Sequence, residues 1–317
     1  METQSPPTES PAALTSRDDG ENPTSRELER RAEANTFVPV ILKRIDQHRR
    51  HPDDTLEHAV REGIEQCKRP TLSLLLSAIA AGLMLGFTAM AAGVVASFTV
   101  EGGAPPTLAS RLAIALVYPL GFVMVVIAGT ELFTEQTATA VYPVLDKRAP
   151  IRGMLRVWGV VLAGNLVGAC ISAALLTAAN PVIHAAPGYA VLGAHLTAYG
   201  PWALLASSVL AGWLMGIGSW LVLASPPEMS QMVSIYLATF LIGLGGLHHS
   251  IAGGVEAFVA LFMVEGFGAL DAAYFLVVAV PGNLIGGAIF VAALNYGHIR
   301  RSRRATSERK DLGSTAV

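Results

Sequence analysis

Two adjacent histidines, His248 and His249, lie inside a long apolar stretch of the sequence. Imidazole titrates near neutral pH, so a histidine in such surroundings can lend a proton to a passing weak acid and take it back. Ionisable groups are costly inside a membrane and generally face a pore or a partner. The alternative is a buried histidine that only ties two helices together. We predict a pore role for one of the two.

A second apolar stretch carries a polar interruption of its own, which contains Glu131, Leu132, Phe133, Thr134 and Glu135. The threonine hydroxyl can donate to or accept from an imidazole. The leucine and the phenylalanine would form an apolar constriction beside these polar groups. Such a constriction rejects a bare anion, because removing its water is expensive, and it is a lower barrier to the neutral acid. The Glu131 carboxylate has an alternative role, which is to satisfy backbone amides freed by the interruption.

The composition is typical of a membrane protein. Of 317 residues, 52% are hydrophobic and only 15% are charged, and the mean hydropathy is +0.49. Of the 22 Lys and Arg residues, only five fall within residues 71–299. This argues against a soluble enzyme and against a nucleic-acid binder. The sequence predicts an all-α membrane protein with six spans, near 72–99, 110–142, 153–179, 201–224, 231–263 and 271–298.

Charge and polarity also divide the chain into regions. We expect a disordered cytoplasmic tail over 1–54, an amphipathic pre-membrane helix over 55–70, a channel domain over 71–299 and a basic cytoplasmic tail over 300–317. The pattern of the helix fits either a membrane surface or an ordinary solvated helix. The distribution of Lys and Arg among the loops predicts that both termini are cytoplasmic.

The two halves of the channel domain resemble each other. The run LSAIAAGLMLG at 76–86 matches ASSVLAGWLMG at 206–216, and GNLVGA at 164–169 matches GNLIGG at 282–287. Glu131 precedes Gly164 by 33 residues, and His249 precedes Gly282 by the same number. Three spans per half imply that the second half is inverted. We therefore predict an inverted 3+3 repeat with helices 2 and 5 broken at mid-membrane, an arrangement typical of transporters and channels.

Three further polar residues lie in the apolar segments: Asn165, Glu256 and Asn283. The asparagines stand in the two Gly-Asn motifs, where they would cap the broken helices or face the pore. The glutamate would either line the pore or make a hydrogen bond between helices. The residues contain no nucleophile–base pair and no metal-ligand set, so we expect neither enzymatic activity nor a metal or cofactor.

These residues resemble the formate/nitrite transporter family over roughly 55–299. The resemblance rests on Glu131-Leu132-Phe133-Thr134, on Gly164-Asn165, on His249-Ser250-Ile251-Ala252 and on Gly282-Asn283 with Gly286-Gly287. It implies an aquaporin-like fold, a homopentamer with one pore per protomer, and transport of small monovalent anions such as formate, nitrite, hydrosulfide or lactate. It also implies that Thr134 bonds a central His249, that Leu132 and Phe133 shape the constriction, and that Asn283 is the asparagine of the sixth helix.

Several positions depart from the family pattern. Gly212 and Gly253 stand where many members have asparagine, His248 is a second histidine, and Glu135 replaces a small residue. The 180–200 loop lacks the lysine that attracts anions in many members, leaving His184 and His195 as the candidates there.

We therefore expect a weak-acid anion channel or transporter of a divergent subgroup, in the inner membrane of the cell. Its partners would be the anion, the lipid bilayer and further copies of the chain, without nucleic acid. A neutral-solute pore and a non-conducting membrane scaffold or sensor are the alternatives.

Overall fold

The computed structural model describes residues 50–100, 106–225 and 227–301. In these residues the chain is helical throughout: α1 (Pro52–Lys68), α2 (Thr71–Thr99), α3 (Leu108–Val117), α4 (Leu120–Ile127), α5 (Phe133–Thr139), α6 (Tyr142–Leu145), α7 (Ile151–Ile183), α8 (Ala186–Thr197), α9 (Pro201–Ala224), α10 (Glu228–Gly245), α11 (Ala252–Met263) and α12 (Ala269–Arg301). Residues Gly286–Ala293 of α12 have π-helical geometry. The predicted tails lie outside the described residues except for 50–54 and 300–301.

Six helical segments are long and apolar enough to cross a membrane, as predicted: Thr71–Thr99, Leu108–Ile127, Ile151–Ile183, Pro201–Ala224, Glu228–Gly245 and Ala269–Arg301. The predicted second and fifth segments are each interrupted. The helical backbone stops at Ile127 and resumes at Phe133, and it stops at Gly245 and resumes at Ala252. Each interruption begins beside a glycine of positive φ, Gly129 at 61° or Gly246 at 58°, a conformation that side chains with a Cβ rarely adopt.

The predicted 180–200 loop is wrong, because most of it is helical. Helix α7 continues to Ile183, and α8 occupies Ala186–Thr197. The break between them is at His184, whose φ of 56° is left-handed. The side-chain oxygen of Asn180 accepts a hydrogen bond from the Ala185 backbone N–H at 3.0 Å and so satisfies a group at the start of α8. The turn lies between Asn180-Pro181 and Pro187-Gly188, residue pairs that typically mark turns, and the sequence interpretation did not use them.

Helix α1 begins at Pro52, three residues before the predicted start. Its apolar face consists of Leu56, Ala59, Val60 and Ile64, all of which are buried in the main hydrophobic core. The helix packs on α5, α6, α7 and α9. The apolar face is therefore covered by protein, and the place of this helix at a membrane surface stays a prediction.

The two ends of the described chain lie on the same side of the helical domain. Arg148, in the turn after α6, makes an ion pair with Glu57 of α1 at 3.0 Å. Arg300, at the end of α12, makes an ion pair with Asp146 of the same turn. This arrangement requires an even number of spans between α1 and Arg300, in agreement with six. Below, this side of the molecule is called the α1 side.

Glycines bring two pairs of long helices into close contact. A Cβ at Gly82 of α2 would collide with the carbonyl oxygen of Asn165 in α7, and a Cβ at Gly212 of α9 would collide with the same atom of Asn283 in α12. Gly212 is therefore a packing residue, and an asparagine side chain would not fit there. The glycine that stands here in place of the asparagine of many family members is explained by the contact between α9 and α12, and not by a change in the pore lining.

Candidate functional site

The first helix interruption is held by one asparagine side chain. The Nδ2 group of Asn165 donates to the carbonyl oxygens of Ala78 and Glu131, at 2.8 and 2.9 Å. Its Oδ1 accepts from the Phe133 backbone N–H at 2.7 Å. The Glu131 N–H donates to the Ser77 hydroxyl at 3.2 Å. Backbone groups freed by the interruption are thus satisfied without water, as buried groups must be.

The second interruption is held in the same way by Asn283. Its Nδ2 group donates to the carbonyl oxygens of Ser208 and His248, at 2.7 and 3.0 Å, and its Oδ1 accepts from the Ser250 N–H at 2.7 Å. The His248 N–H donates to the Ser207 hydroxyl at 3.2 Å. Both amide hydrogens and the oxygen of Asn283 are therefore engaged by backbone. Asn165 and Asn283 therefore support the interruptions, which is the capping alternative that the sequence offered for both.

These contacts correct the register between the two halves. Glu131 and His248 occupy the same place relative to the supporting serine and asparagine, and Phe133 corresponds to Ser250. The sequence comparison paired Glu131 with His249 and was wrong by one residue. The extra residue lies between the interruption and the Gly-Asn motif, where no side-chain pattern marks it.

His249 and Thr134 meet in a fully buried hydrogen bond. The Nε2 atom of His249 lies 2.9 Å from Oγ1 of Thr134, and both side chains are inaccessible to solvent. The Nδ1 atom accepts hydrogen bonds from the N–H groups of Ile251 and Ala252, at 3.3 and 3.1 Å. Because Nδ1 is an acceptor, the proton of the neutral ring must lie on Nε2, which donates to the threonine. The Phe122 ring packs edge-on against the imidazole, with centroids 4.9 Å apart.

This hydrogen-bonding pattern restricts how the histidine can exchange a proton. Protonation at Nδ1 would break two hydrogen bonds to backbone N–H groups and place a positive charge at the N-terminus of α11, where the helix dipole is already positive. The proton transfer predicted from the sequence, in which the histidine gives a proton to a weak acid and takes it back, therefore requires His249 to leave this hydrogen-bonding geometry. What the observed geometry offers is a neutral N–H donor.

Two cavities with no lining residue in common lie near this pair. The α1-side cavity has a volume of about 320 Å³ and is lined by Arg50, His58, Glu62, Gln66, Glu131, Glu135 and Gln136 among others. The histidine cavity is smaller, about 50 Å³, and is lined by His195, His248, His249, Glu256, Tyr118 and neighbouring apolar residues. Phe122 and Thr134, both fully buried, line neither cavity.

The Glu131 carboxylate does not satisfy freed backbone amides, which was its predicted alternative role. One oxygen accepts from Arg69 at 2.7 Å, and the other accepts from the Gln136 amide at 2.5 Å. Arg69 lies between α1 and α2, so the ion pair connects the α1 side to the first interruption. Sequence reasoning missed Arg69, because nothing in its spacing points to Glu131.

Leu132 and Phe133 were predicted to shape a constriction. The two side chains are at most 1% exposed, and neither lines either of the two cavities. Both belong to the main hydrophobic core. The two residues stand between Glu131 and Thr134 in the chain, and their role as the apolar barrier stays a prediction.

His248 lies close to His195, a residue the sequence placed in an outer loop. The two imidazoles stack with centroids 5.0 Å apart and planes 4° from parallel. His248 Nδ1 lies 2.8 Å from the Ser207 hydroxyl, and its Nε2 atom is buried without a partner among the described residues. Glu256, 7% exposed, lines the same cavity. The structure thus brings together three groups that the sequence singled out separately.

Gly253, the second predicted departure from asparagine, faces an aromatic ring. A Cβ at this position would collide with the ring of Phe275. Among the described residues, no three His, Cys, Asp or Glu side chains are arranged to hold a metal ion.

Comparison with known proteins agrees with this architecture. A profile of the formate/nitrite transporter family matches residues 53–297. An inner membrane protein of Escherichia coli, YfdC, is 32% identical over 80% of this chain and 82% of its own length. A probable formate transporter of Methanothermobacter thermautotrophicus is 31% identical over 72% of this chain and 89% of its own length.

Two solved structures share the fold. An FNT family ion channel superposes with a TM-score of 0.66 at 20% identity, covering 78% of this chain and 98% of its own. A pentameric formate channel with formate bound superposes with a TM-score of 0.61 at 21% identity, covering 73% of this chain and 97% of its own. Six apolar spans, the aquaporin-like arrangement of helices and the match over most of the chain lead to one conclusion. The chain is a multi-pass membrane protein that belongs to the formate/nitrite transporter family, whose members are transporters and channels and not enzymes.

Proposed function

We propose that the protein is a homopentameric channel or proton-coupled transporter for small monovalent weak-acid anions of the formate or nitrite kind. The observation that carries the proposal is the buried hydrogen bond between His249, which lines the histidine cavity, and Thr134, whose chain neighbour Glu135 lines the α1-side cavity. We expect a solute that passes from one cavity to the other to pass this pair. The pentamer and the anion are inferred from similar proteins, a probable formate transporter and a pentameric formate channel.

The chemistry of the pair suits an oxyanion. His249 carries its proton on Nε2, held in place by the two N–H groups bonded to Nδ1. An anion that replaces Thr134 as the acceptor gains a charge-assisted hydrogen bond. It also lies near the N-terminus of α11, which favours negative charge. Leu132 and Phe133 would supply the apolar barrier, which a protonated acid crosses at lower cost than its anion.

We place both termini in the cytoplasm and the protein in the inner membrane. Arg148 and Arg300 both lie on the α1 side. Such a concentration of positive charge is typical of the cytoplasmic side. In this orientation the α1-side cavity opens toward the cytoplasm.

The test is uptake of formate and of nitrite by liposomes that contain the purified protein, followed by stopped flow from about pH 5 to 8, the range over which histidine titrates. We expect uptake that rises as pH falls, since more of the acid is neutral, and that is abolished in His249→Ala. Absence of uptake of formate, nitrite, lactate and hydrosulfide at every pH, with an intact pentamer, would contradict the proposal.

A second candidate is a pore for neutral solutes. It is favoured by the acidic residues Glu62 and Glu135, which line the α1-side cavity beside the ion-paired Glu131 and do not attract anions. Under this alternative, uptake of a small neutral solute would be fast and independent of pH, and formate would not compete with it. The same liposomes decide between the two candidates.

A further inference from the structure

The histidine cavity contains a buried donor that the protein leaves without a partner, beside a buried carboxyl group. His248 is 3% exposed, and its Nε2 atom makes no hydrogen bond within the described part of the chain. Glu256 is 7% exposed and lines the same cavity. Buried polar groups in proteins are nearly always paired, so an unpaired imidazole nitrogen in a cavity calls for an explanation.

The hydrogen bonds around His248 decide which nitrogen holds its proton. The Ser207 oxygen already accepts from the His248 backbone N–H, so the serine hydroxyl hydrogen is free to donate to Nδ1, 2.8 Å away. No other acceptor for this hydrogen lies among the described residues. With Nδ1 as acceptor, the neutral ring carries its proton on Nε2. His248 therefore presents an N–H donor to the cavity, and Ser207 is the positioning residue.

His195 holds the ring of His248 in place. Its Nε2–H donates to the Gly246 carbonyl at 2.9 Å, and its Nδ1 lies 3.3 Å from the Tyr199 hydroxyl. Both of its nitrogens are occupied, so its ring serves as a flat surface on which the His248 ring stacks. The binding group in the cavity is thus His248 and not His195.

The size and chemistry of the cavity select a ligand. About 50 Å³ is room for a molecule of a few heavy atoms, since one water needs about 10–15 Å³ on this measure. A bare anion would find no Lys or Arg side chain in the lining of the cavity. An undissociated acid offers both an acceptor oxygen for His248 Nε2–H and an O–H that can donate to Glu256.

We propose that His248 and Glu256 form a second binding station, which takes the small weak acid together with its proton. The station lies in the histidine cavity, which has no lining residue in common with the α1-side cavity. It rests on the proposed function, because it assigns a recognition step to the same pathway. Only hydrogen bonds form and break in this step.

The test compares variants that keep or remove each hydrogen-bonding group in the intact full-length protein. In His248→Gln the amide nitrogen falls near the place of Nε2, whereas in His248→Asn it falls near Nδ1 and the donor is lost. Glu256→Gln keeps an acceptor oxygen, and Glu256→Leu removes it at similar volume. Initial rates of formate uptake by liposomes over a range of formate concentrations give KM and the maximal rate for each.

We expect His248→Asn and Glu256→Leu to raise KM about tenfold or more with little change in maximal rate, the size expected for a lost hydrogen bond to a charged or strongly polar group. The two glutamine variants should stay within about threefold of the wild type, since each retains one of the needed groups. A role in folding alone would lower the amount of pentamer and leave KM unchanged.

The outcomes separate this inference from the proposed function. If wild-type uptake depends on His249 but His248→Asn and Glu256→Leu keep the wild-type KM, the second station is wrong and the proposed function stands. If the wild type takes up no formate or other small acid, both are wrong.

Discussion

The two helix interruptions use the same backbone supports and different side chains. Ser77 and Asn165 hold the first, and Ser207 and Asn283 hold the second, with the same set of donors and acceptors. At the equivalent position, however, the first carries Glu131 and the second carries His248. The backbone supports are thus repeated, whereas the side chain at the equivalent position is acidic in one interruption and an imidazole in the other.

The neighbours of these two residues differ in the same way. Arg69 stands 130 residues before Tyr199, the same spacing that separates the matched serines Ser77 and Ser207. Arg69 neutralises Glu131 through an ion pair, whereas Tyr199 lies edge-on to His248 at 5.5 Å. One side of the pathway therefore holds a compensated charge pair, and the other holds a neutral, unpaired donor. The asymmetry suits a pathway in which the solute meets different groups on its two sides.

The largest effect is expected from removal of the shared supports. Asn165→Ala and Asn283→Ala should each lower the melting temperature of the detergent-solubilised protein strongly and by similar amounts. Each change leaves one carbonyl and one N–H of the interruption unpaired, which lowers the free energy of unfolding by about 1–3 kcal/mol per group. The carbonyls of Ala78 and Ser208 keep their hydrogen bonds within α2 and α9.

Asn180→Ala is the matched control, because that side chain is only partly buried and holds one backbone group. We expect this change to lower the free energy of unfolding by about 1 kcal/mol. A large loss at one of the two asparagines and none at the other would show that the interruptions are not equivalent.

A smaller effect is expected at the glycine contacts. Gly82→Ala and Gly212→Ala place a methyl group against the backbone of the facing helix in the two halves. Overpacking of this kind costs about 1–3 kcal/mol, so both variants should melt at lower temperature than the wild type. Gly159→Ala, on the same kind of helix but with nothing within 4 Å, is the control and should be neutral or slightly stabilising. Normal stability of Gly212→Ala would restore the possibility of a side chain there.

The smallest effect is expected at the charge pair of the first interruption. Arg69→Gln leaves Glu131 uncompensated and should slow anion uptake about threefold, and Glu131→Gln leaves Arg69 and should speed it by a similar factor. Both changes should shrink as salt rises from about 10 to 500 mM, because salt screens partly exposed charges. Uptake can be measured in liposomes of neutral lipid. Changes of the same sign in the two variants would show that the pair acts by structure and not by charge.

Much of the fold could be predicted because it depends on apolar length and on small-residue patterns. The six spans, the interruptions at 129–136 and 245–254 and the Gly-Asn motifs are all visible as composition and spacing. Helix α8 was missed because 180–200 was interpreted as one loop, although Asn180-Pro181 and Pro187-Gly188 mark a turn and a helix start there. The left-handed His184 and the hydrogen bond accepted by the Asn180 side chain are visible only in the structure.

The site was predictable only where its contacts lie within a motif. The pairing of Thr134 with His249 came from the resemblance to a family, and the structure places the two atoms 2.9 Å apart. Arg69 and Ser207 reach the site from residues distant in sequence, so spacing could not reveal them. Ser207 did carry a signal, since it matches Ser77 in the repeated runs at 76–86 and 206–216.

The most direct test of the central claim is the rate of formate uptake by liposomes that contain His249→Gln or His249→Phe. Glutamine places an amide donor near Nε2, whereas phenylalanine keeps the ring and its edge contact with Phe122 but has no donor. We predict that the glutamine variant keeps measurable uptake and that the phenylalanine variant loses about a hundredfold or more, as expected when a buried donor to a charged group is removed. Equal uptake by wild type and His249→Phe, with both pentamers intact, would contradict a pathway controlled by this histidine.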